Sequence, residues 1–382
     1  MNDHAADGDF DAILGKARTE IDLLDERIMA LLADRHKMVD KVAAVKKEHG
    51  LPVYHPAREE NLITARRNRA LALGLDAEMV EELFRSIMRG SRITQGEAMK
   101  GRSVRPGAGV VIVGGRGQMG LCLGGWFNGA GYDVRSLDVG DWPRAAELCG
   151  GAKLALLCVP IEVTAETAFK VAPYLGKDCI LADITSLKKL PLDAMLSAHG
   201  GPVLGLHPMF GPDTHAMDKQ IVVVSEGRDH PSCRWVVEQL AAWGAVIVAA
   251  DAEEHDRVMD VVQGLRHFAT FSFGRFLKQT GVDLARTLEF SSPIYRLELG
   301  MVGRLFAQDP TLYAKIIFST PQRRELLSNF VSSLVENLPM LENADEEEFL
   351  SQFKRVADWF GPFSGQAIRE SGYLIDKMIE RF

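Results

Sequence analysis

The sequence has little cysteine, no excess of positive charge and no long apolar run. It holds five cysteines in 382 residues, and no two of them form a C-x-x-C pair. An odd number of widely spaced cysteines argues against a disulfide framework and against a zinc site. The 44 Lys and Arg residues are outnumbered by 52 Asp and Glu residues, which gives a net charge of −8. Nucleic-acid binders normally carry a strongly basic face, so no nucleic-acid partner is expected. The cysteine spacing likewise gives no reason to expect a bound metal.

Segments that would target the chain to a membrane are missing as well. No apolar run approaches the roughly 18 residues that a transmembrane helix needs. The first residues, Met-Asn-Asp-His-Ala-Ala-Asp-Gly-Asp, are polar and acidic and lack the apolar core of a signal peptide. We therefore expect a cytoplasmic protein without a membrane partner. Because the net charge is negative, local groups of Arg and Lys must hold any anionic substrate.

The apolar pattern changes twice along the chain, and 382 residues exceed the size of one ordinary core. The first part shows helical spacing almost throughout. After a Gly-containing linker at 100–109, short apolar runs alternate with helical segments, which predicts a mostly parallel sheet covered on both faces. The last part shows helical segments alone. The predicted fold is multidomain, with an all-α, a Rossmann-type α/β and a second all-α domain over residues 1–100, 107–250 and 251–382.

Pro and Gly set the expected ends of the helices. Because neither interrupts the stretch from Lys16 to His49, one unusually long helix is predicted there, and Gly74 separates two shorter helices at about 57–73 and 77–96. In the last part, helices are predicted at about 252–280, 282–308, 310–319, 322–343 and 346–359, with a final one reaching Phe382.

A glycine loop follows the strand-like run Val110–Val113. Its residues Gly115, Gly117 and Gly120 fit the pattern G-x-G-x-x-G. Glycines allow a tight turn and a close approach of the backbone to a pyrophosphate, and the helix start that follows offers free N–H groups to the phosphates. The loop therefore predicts a dinucleotide site. Its expected contacts are Gly115, Gly117, Gln118, Met119 and Gly120.

The second strand-like run, ending at Asp138, bears on the choice of cofactor. Asp138 lies 18 residues after Gly120, where a carboxylate would bond the ribose hydroxyls and repel a 2′-phosphate. This position favours NAD over NADP, although Arg135 and Arg144 nearby leave the choice open. Arg116 occupies a loop position where a small residue is usual, and we expect it to point to solvent.

Polar residues also follow other strand-like runs. His207 comes just after one run, in the segment Gly205-Leu-His-Pro-Met-Phe-Gly-Pro, and Ser186 belongs to Thr185-Ser-Leu-Lys after another. Ligands bind at the carboxyl ends of parallel strands, and a histidine there can take a proton from a substrate hydroxyl as hydride leaves its carbon. His255 and His267 flank the start of the helical region.

Spaced cations mark the N-terminal helices. The set consists of Arg18, Arg35, Lys46 and Arg58, with Glu59 and Gln95. On one helix, Arg35 and Lys46 lie about 20° apart around the axis and about 16 Å apart along it, so they can hold a small dianion between them. Arg18 lies about 42 Å from Lys46 on the same helix and cannot reach that ligand. If Arg18 is functional, it serves a site on a partner helix in a two-fold dimer.

Three segments carry a family resemblance. The glycine loop, the His207 segment and Ser291-Ser-Pro-Ile-Tyr-Arg-Leu-Glu-Leu-Gly-Met-Val-Gly-Arg-Leu-Phe-Ala-Gln-Asp309 closely resemble prephenate dehydrogenases. The chain as a whole, over about 10–380, resembles the bifunctional chorismate mutase/prephenate dehydrogenases. The resemblance implies an all-α chorismate mutase domain, an NAD-binding domain and an all-α domain for dimerisation and substrate binding. It also implies a homodimer, inhibited by tyrosine.

The resemblance implies roles for the dehydrogenase residues. His207 bonds the 4-hydroxyl of prephenate, Arg304 binds the ring carboxylate, Ser186 helps to position His207, and His267 lines the pocket. Arg296 and Arg304 lie eight residues apart, roughly 80° around a helix, so they need not serve one ligand.

The resemblance also implies roles for the helical cations. Arg18 from the other protomer, Arg35 and Arg58 hold the two carboxylates of chorismate, and Lys46 and Gln95 donate to its ether oxygen. Glu59 accepts from the ring hydroxyl and Ser91 lines the site. Such a pericyclic reaction needs a held conformer and electrostatic stabilisation of the breaking C–O bond. His55 stands where some relatives have Asp, so one contact at the rim differs from theirs.

Three other interpretations remain open from the sequence. The chain is a dehydrogenase whose N-terminal helices serve only dimerisation or regulation, it uses arogenate in place of prephenate, or it is a nucleotide-sensing interaction protein. A mutase that makes prephenate within the same chain favours prephenate as the second substrate.

Overall fold

The computed structural model describes residues 4–49, 53–100, 103–214 and 216–379. The chain divides into two compact units, of which the first ends at His255 and the second begins at Asp256. Among the described residues, no helix combines the length and the apolar character that a membrane crossing requires. The predicted domain boundaries at 1–100, 107–250 and 251–382 stay a prediction.

Three helices form the N-terminal part of the first unit, as the sequence predicts. They are α1 (His4–His49), α2 (Pro56–Ala72) and α3 (Ala77–Lys100), and α3 contacts both of the others. His55 caps α2 because its Nδ1 accepts a hydrogen bond from the Arg58 amide at 3.3 Å, and Asp76 caps α3 by accepting from two first-turn amides. The long helix begins earlier than predicted, at His4.

The long helix α1 buries only its C-terminal part. Val39 and Ala43 are buried, whereas every residue from 15 to 34 is exposed. The exposed stretch includes Ile21, Leu24, Ile28 and Leu31, each more than half exposed. An apolar stripe of this length on a single helix is typical of a surface that packs against another helix.

A seven-stranded sheet forms the centre of the first unit. Its strands are β1 (Gly109–Val113), β2 (Asp133–Leu137), β3 (Ala152–Leu157), β4 (Ile180–Asp183), β5 (Val203–Pro208), β6 (Ile221–Arg228) and β7 (Val246–Ala249). Their order is β2-β1-β3-β4-β5-β6-β7. All neighbouring pairs are parallel except β5 and β6, which confirms the predicted mostly parallel sheet. The chain order reverses between β1 and β3, which is where open α/β sheets bind ligands.

Both faces of the sheet are covered. The covering helices are α4 (Gln118–Gly129), α5 (Ala145–Cys149), α6 (Ile161–Val171), α7 (Lys189–Ala198) and α8 (His230–Ala242), with 3₁₀ turns at Val139–Arg144 and Ala172–Tyr174. Along β1, Val110 and Ile112 belong to one apolar core and Val111 and Val113 to the other. A strand buried on both faces explains the unbroken apolar run in the sequence.

The C-terminal region is helical. Its elements are α9 (Ala252–Met259), a π-helical turn (Asp260–Leu265), α10 (Arg266–Thr280), α11 (Leu284–Glu289), α12 (Pro293–Phe306), α13 (Pro310–Ile317), α14 (Pro321–Val335), α15 (Leu338–Glu342), α16 (Glu346–Phe360) and α17 (Pro362–Ile379). The all-α character of this region is confirmed.

Two of the predicted C-terminal helices are each two helices in the structure. The single helix expected over 282–308 is wrong because the Ser292 hydroxyl accepts from the Tyr295 amide and starts α12 anew, with Pro293 as its first residue. The single helix expected over 322–343 is wrong because the chain turns at Glu336 and Asn337 before Pro339, which has no N–H to donate. The predicted end at Phe382 lies outside the described residues.

Candidate active sites

The glycine loop joins β1 to α4 at the switch point of the sheet. The helix begins at Gln118 with Gly117 as its N-cap and with no side chain bonded to its first turn. The amides of Gln118, Met119 and Gly120 therefore have no partner within the helix and are free to bind an anion. A Cβ on Gly120 would lie 2.8 Å from the Cα of Gly115, so only glycine allows the helix to approach the loop this closely.

Asp138 lies beside the glycine loop, at the end of β2. Its carboxylate accepts from the backbone amide of Arg116 at 3.3 Å, and its own amide donates to Asp141 at 3.0 Å. The Arg116 side chain is 65% exposed, but it forms an ion pair with Asp141 at 3.0 Å and lies 3.9 Å from Asp138. The Arg116 side chain is thus exposed but also lies close to Asp138, the predicted ribose ligand. The expectation that it points to solvent is therefore confirmed only in part.

A histidine pair occupies the carboxyl end of β5. His207 is 4% exposed and its Nδ1 lies 2.8 Å from Nε2 of His255, which is 2% exposed. The two rings meet edge to face with their centroids 5.0 Å apart. The sequence drew attention to His255 by its position but gave no sign of this pairing, which brings together residues 48 positions apart.

A buried ion pair fixes the strand ends beside His207. Lys188 and Asp183 are both fully buried, and Lys188 Nζ lies 2.5 Å from the Asp183 carboxylate and donates to the Leu206 carbonyl at 2.7 Å. Asp183 is paired with Gly205 in the register of β4 and β5, so the half-buried Ser186, just past β4, lies at the same sheet edge as His207. Nothing in the sequence gives a reason to single out Lys188, because its role follows from its burial.

In the second unit, His267 follows the π-helical turn, a feature often found at functional sites. Its ring meets that of Tyr313 edge to face at 4.8 Å. Burial, with the nearby Arg266 and Arg323 cations, lowers the pKa of His267 to about 4. The fully buried Arg323 secures the turn by pairing with Asp260 at 2.7 Å.

Arg304 lies in the last turn of α12 and is exposed, with Arg296 on the same helix. The Arg296 side chain donates to the Leu288 carbonyl at 2.5 Å and so holds the end of α11. Of the two side chains, that of Arg304 is exposed at the surface of the second unit and that of Arg296 is half-buried.

A cleft between α1, α2 and α3 gathers the predicted polar residues of the helical domain. Its walls include Arg35, Lys46, Arg58, Glu59, Ser91 and Gln95, together with His55 and several apolar residues. These are all of the residues predicted for this site except Arg18, which lies far along α1. Three helices thus bring together side chains from positions 35 to 95.

Hydrogen bonds organise the cationic side of this cleft. Arg35 donates to the Ser91 hydroxyl, and Lys46 Nζ donates to the Val53 carbonyl at 2.7 Å. Burial lowers the pKa of Lys46, Glu59 opposes that shift and Arg58 adds to it. These contacts fix where the cationic groups stand before any ligand arrives.

The opposite side of the cleft holds a pair that the sequence analysis missed. Arg92 is 7% exposed, and its Nη1 donates to both carboxylate oxygens of Glu59, at 2.7 and 2.8 Å. Burial alone would lower the pKa of Arg92, but the hydrogen bonds that it donates to the Asp218 and Glu59 carboxylates raise it. The available signal was helical spacing, since Met88, Ser91, Arg92 and Gln95 share one face of α3.

Three protein-family models match the chain in succession. Residues 17–96 match chorismate mutase type II, residues 133–248 match the nucleotide-binding domain of prephenate dehydrogenase, and residues 251–355 match its dimerization domain. The mutase match excludes the interpretation of the N-terminal helices as a module for dimerisation or regulation alone.

Similar proteins span nearly the whole chain. The T-protein of Enterobacter agglomerans is 43% identical over 95% of this chain and 97% of its own length, and that of Haemophilus influenzae is 41% identical over 96% and 98%. The crystal structure of prephenate dehydrogenase from A. aeolicus, in complex with hydroxyphenyl propionate and NAD⁺, shares the fold of 65% of this chain and 96% of its own, with a TM-score of 0.55 at 19% identity. Together these matches show that the chain belongs to the T-proteins, the bifunctional enzymes of tyrosine biosynthesis in which a chorismate mutase and a prephenate dehydrogenase share one polypeptide.

Proposed function

We propose that the cleft between α1, α2 and α3 is the chorismate mutase site and that a second copy of the chain completes it. The observation that carries the proposal is the meeting of six predicted polar residues in one cleft. Arg35 and Arg58 bind the substrate carboxylates, and Lys46 and Gln95 donate to the ether oxygen as its C–O bond breaks. Glu59 accepts from the ring hydroxyl and Ser91 holds Arg35 in place. Fixed donors aimed at developing negative charge lower the barrier without an acid, base or nucleophile.

The partner copy supplies Arg18. The continuous helix α1 keeps Arg18 about 42 Å from Lys46, so Arg18 can serve only the cleft of another protomer. The exposed apolar stripe of α1 supports a homodimer, because pairing with the antiparallel α1 of a partner would bury it. Two clefts per dimer follow from the two-fold symmetry.

The dehydrogenase site lies at the carboxyl edge of the sheet. The glycine loop and the first-turn amides of α4 bind the pyrophosphate of NAD, and Asp138 binds its ribose. When bound there, NAD⁺ would supply the hydride acceptor for C4 of prephenate. His207 takes the proton of the 4-hydroxyl and Ser186 supports its position, while the substrate loses its ring carboxylate as CO₂ and becomes aromatic. The resemblance to prephenate dehydrogenases implies that Arg304 binds that carboxylate and that His267 contacts the substrate.

Other expectations from the sequence also remain proposals. Prephenate is the substrate in place of arogenate, since the mutase in the same chain produces it. Tyrosine inhibits the enzyme, as the resemblance implies. The cytoplasmic location stays a prediction.

Mixing inactive variants tests the shared mutase site. Arg18→Ala and Lys46→Ala should each be nearly inactive as mutases. In a mixed dimer, one cleft lacks both groups and the other has every group. Equal random exchange should therefore restore about one quarter of the parent activity, because half the dimers are mixed and each has one complete cleft.

A matched control uses two residues of the same cleft. A mixture of Arg35→Ala with Lys46→Ala should stay inactive, because no arrangement of these protomers gives a complete cleft. Full subunit exchange, verified by mass spectrometry, without recovery in the Arg18→Ala mixture would rule out the shared site.

A further inference from the structure

The Glu59–Arg92 pair of the mutase cleft continues into the nucleotide-binding domain. Arg92 Nε donates to the Asp218 carboxylate at 2.8 Å while Nη1 of the same guanidinium holds Glu59. Lys219 Nζ lies 3.6 Å from the second oxygen of Glu59. The side chains of Glu59 and Asp218 are each 14% exposed and that of Arg92 is 8% exposed, so these three groups are largely screened from solvent, whereas Lys219 at the edge of the group is 40% exposed.

Asp218 and Lys219 belong to the segment that joins β5 to β6, here called the β5–β6 loop (residues 209–220). The same strand β5 carries His207 near its end. Lys219 adopts a left-handed backbone conformation, with φ of 57°, and its amide donates to the Gly244 carbonyl at 3.0 Å. A non-glycine residue in this conformation costs energy and persists only where its surroundings hold it. The loop is thus fixed where its two charged side chains meet the cleft.

Both cations of the group approach one aromatic ring. Lys219 Nζ lies 4.5 Å from the centroid of the Tyr54 ring, and the Arg92 guanidinium lies 5.9 Å from it. Tyr54 precedes α2, the helix that carries Glu59. The ring therefore helps to hold both cations close to the Glu59 carboxylate.

We infer that Asp218 and Lys219 are positioning residues of the chorismate mutase, so that a loop of the dehydrogenase completes the mutase site. Asp218 orients Arg92, and Arg92 with Lys219 orients the Glu59 carboxylate toward the cleft. A carboxylate has about four lone-pair positions, so Glu59 can hold both cations and still accept from a substrate hydroxyl. The inference rests on the proposed role of Glu59 as a ligand of chorismate.

The charge of the substrate separates positioning from simple electrostatics. Chorismate is a dianion, so removing the negative charge of Asp218 would by itself favour its binding and lower KM. A loss of positioning acts on the geometry of the reacting complex and lowers kcat. Asp218→Asn is therefore expected to lower the mutase kcat about tenfold without raising KM, and Asp218→Ala, which also removes the acceptor, to lower it further.

The experiment measures mutase and dehydrogenase kinetics on full-length variants. Lys219→Met should lower the mutase kcat by a smaller factor than Asp218→Asn, because its ion pair is longer and 40% exposed, and Lys219→Arg should restore the parent value. Glu238→Gln, which removes one carboxylate from an exposed ion pair on α8, is the matched control and should leave the mutase unchanged. In a Glu59→Gln background, Asp218→Asn should have little further effect, because it acts through Glu59.

Two results would overturn the inference. One is an impaired Glu59→Gln enzyme together with unchanged mutase kinetics in both Asp218 variants. The other is an equal loss of both activities with a lowered Tm in Asp218→Asn, which marks a merely structural role. An unimpaired Glu59→Gln enzyme would instead overturn the proposed role of Glu59, and the inference would fall with it.

Discussion

At the scale of single residues, the contact between His207 and His255 determines which nitrogen can take a proton. For Nε2 of His207 to accept the substrate proton, its Nδ1 must carry hydrogen and donate to Nε2 of His255, 2.8 Å away. The partner ring therefore fixes the tautomer of His207, as orienting groups do in other proton-transfer sites. His255 acts on the reaction through His207.

Replacing His255 tests this arrangement. His255→Leu removes the acceptor and should lower the dehydrogenase kcat by about tenfold or more, with little change in the KM for prephenate. His255→Gln keeps an acceptor at a similar reach and should recover part of the loss. The pH profile of kcat/KM should shift in the Leu variant and return toward the parent profile in the Gln variant. Equal kinetics in the Leu and Gln variants would contradict the proposed hydrogen bond.

Asp138 carries the prediction of cofactor choice. Asp138→Ala should raise the KM for NAD and improve kcat/KM with NADP, because it removes the proposed ribose ligand and its negative charge and leaves the Arg116 cation, now 3.9 Å from that carboxylate, to attract a 2′-phosphate. Asp133→Ala, at the exposed start of the same strand, is the control. Unchanged values for both cofactors in the Asp138 variant would exclude Asp138 from the ribose site.

From the sequence we could single out candidate residues by their position in one helix or at the end of one strand, but not residues whose candidacy depends on tertiary contacts. Lys46 and Gln95 could be singled out from helical positions, and His207 from its strand end. Arg92, Lys188 and the pairing of His255 could not, because each depends on a partner from a distant part of the chain or on complete burial.

At the scale of elements, breaks within helices were harder to predict than the elements themselves. The alternation of strands and helices predicted the parallel sheet. Single helices were expected across Pro293 and Pro339, where the structure has a new cap and a turn. Hydrophobic periodicity continues across such points, so it cannot reveal a break of one or two residues in a helix.

The π-helical turn before α10 gives a prediction about acid stability. His267 is held neutral, with a pKa of about 4 against an ordinary value of 6.5, so the unfolded chain binds a proton that the folded chain does not between these pH values. Folding stability should therefore fall as pH drops from 6.5 to 4, by on the order of 2 kcal/mol from this group.

The variant His267→Gln isolates that contribution. Its Tm should fall less than that of the parent between pH 6.5 and 4, because glutamine does not titrate. The measurement is thermal unfolding of both proteins across this pH range. Parallel curves for the two proteins would show that His267 is not held in its neutral form.

At the scale of the whole molecule, one chain carries two chemistries at separate places in the fold. The residues proposed for the mutase lie on helices that precede the sheet, and those proposed for the dehydrogenase in the first unit lie at the carboxyl ends of strands. The sequence predicted both regions. The contact that the β5–β6 loop makes with the mutase helices could not be predicted, because the sequence around a charged loop residue does not indicate which residue it will pair with.

The most direct measurement assays two variants on both substrates. Lys46→Ala should lower the mutase kcat by about 10²–10³-fold and leave NADH formation from prephenate near the parent rate. His207→Ala should lower the dehydrogenase kcat by about 10²–10⁴-fold and leave the conversion of chorismate to prephenate nearly unchanged. Loss of both activities in either variant, with an unchanged Tm, would contradict two separate sites and require a single shared one.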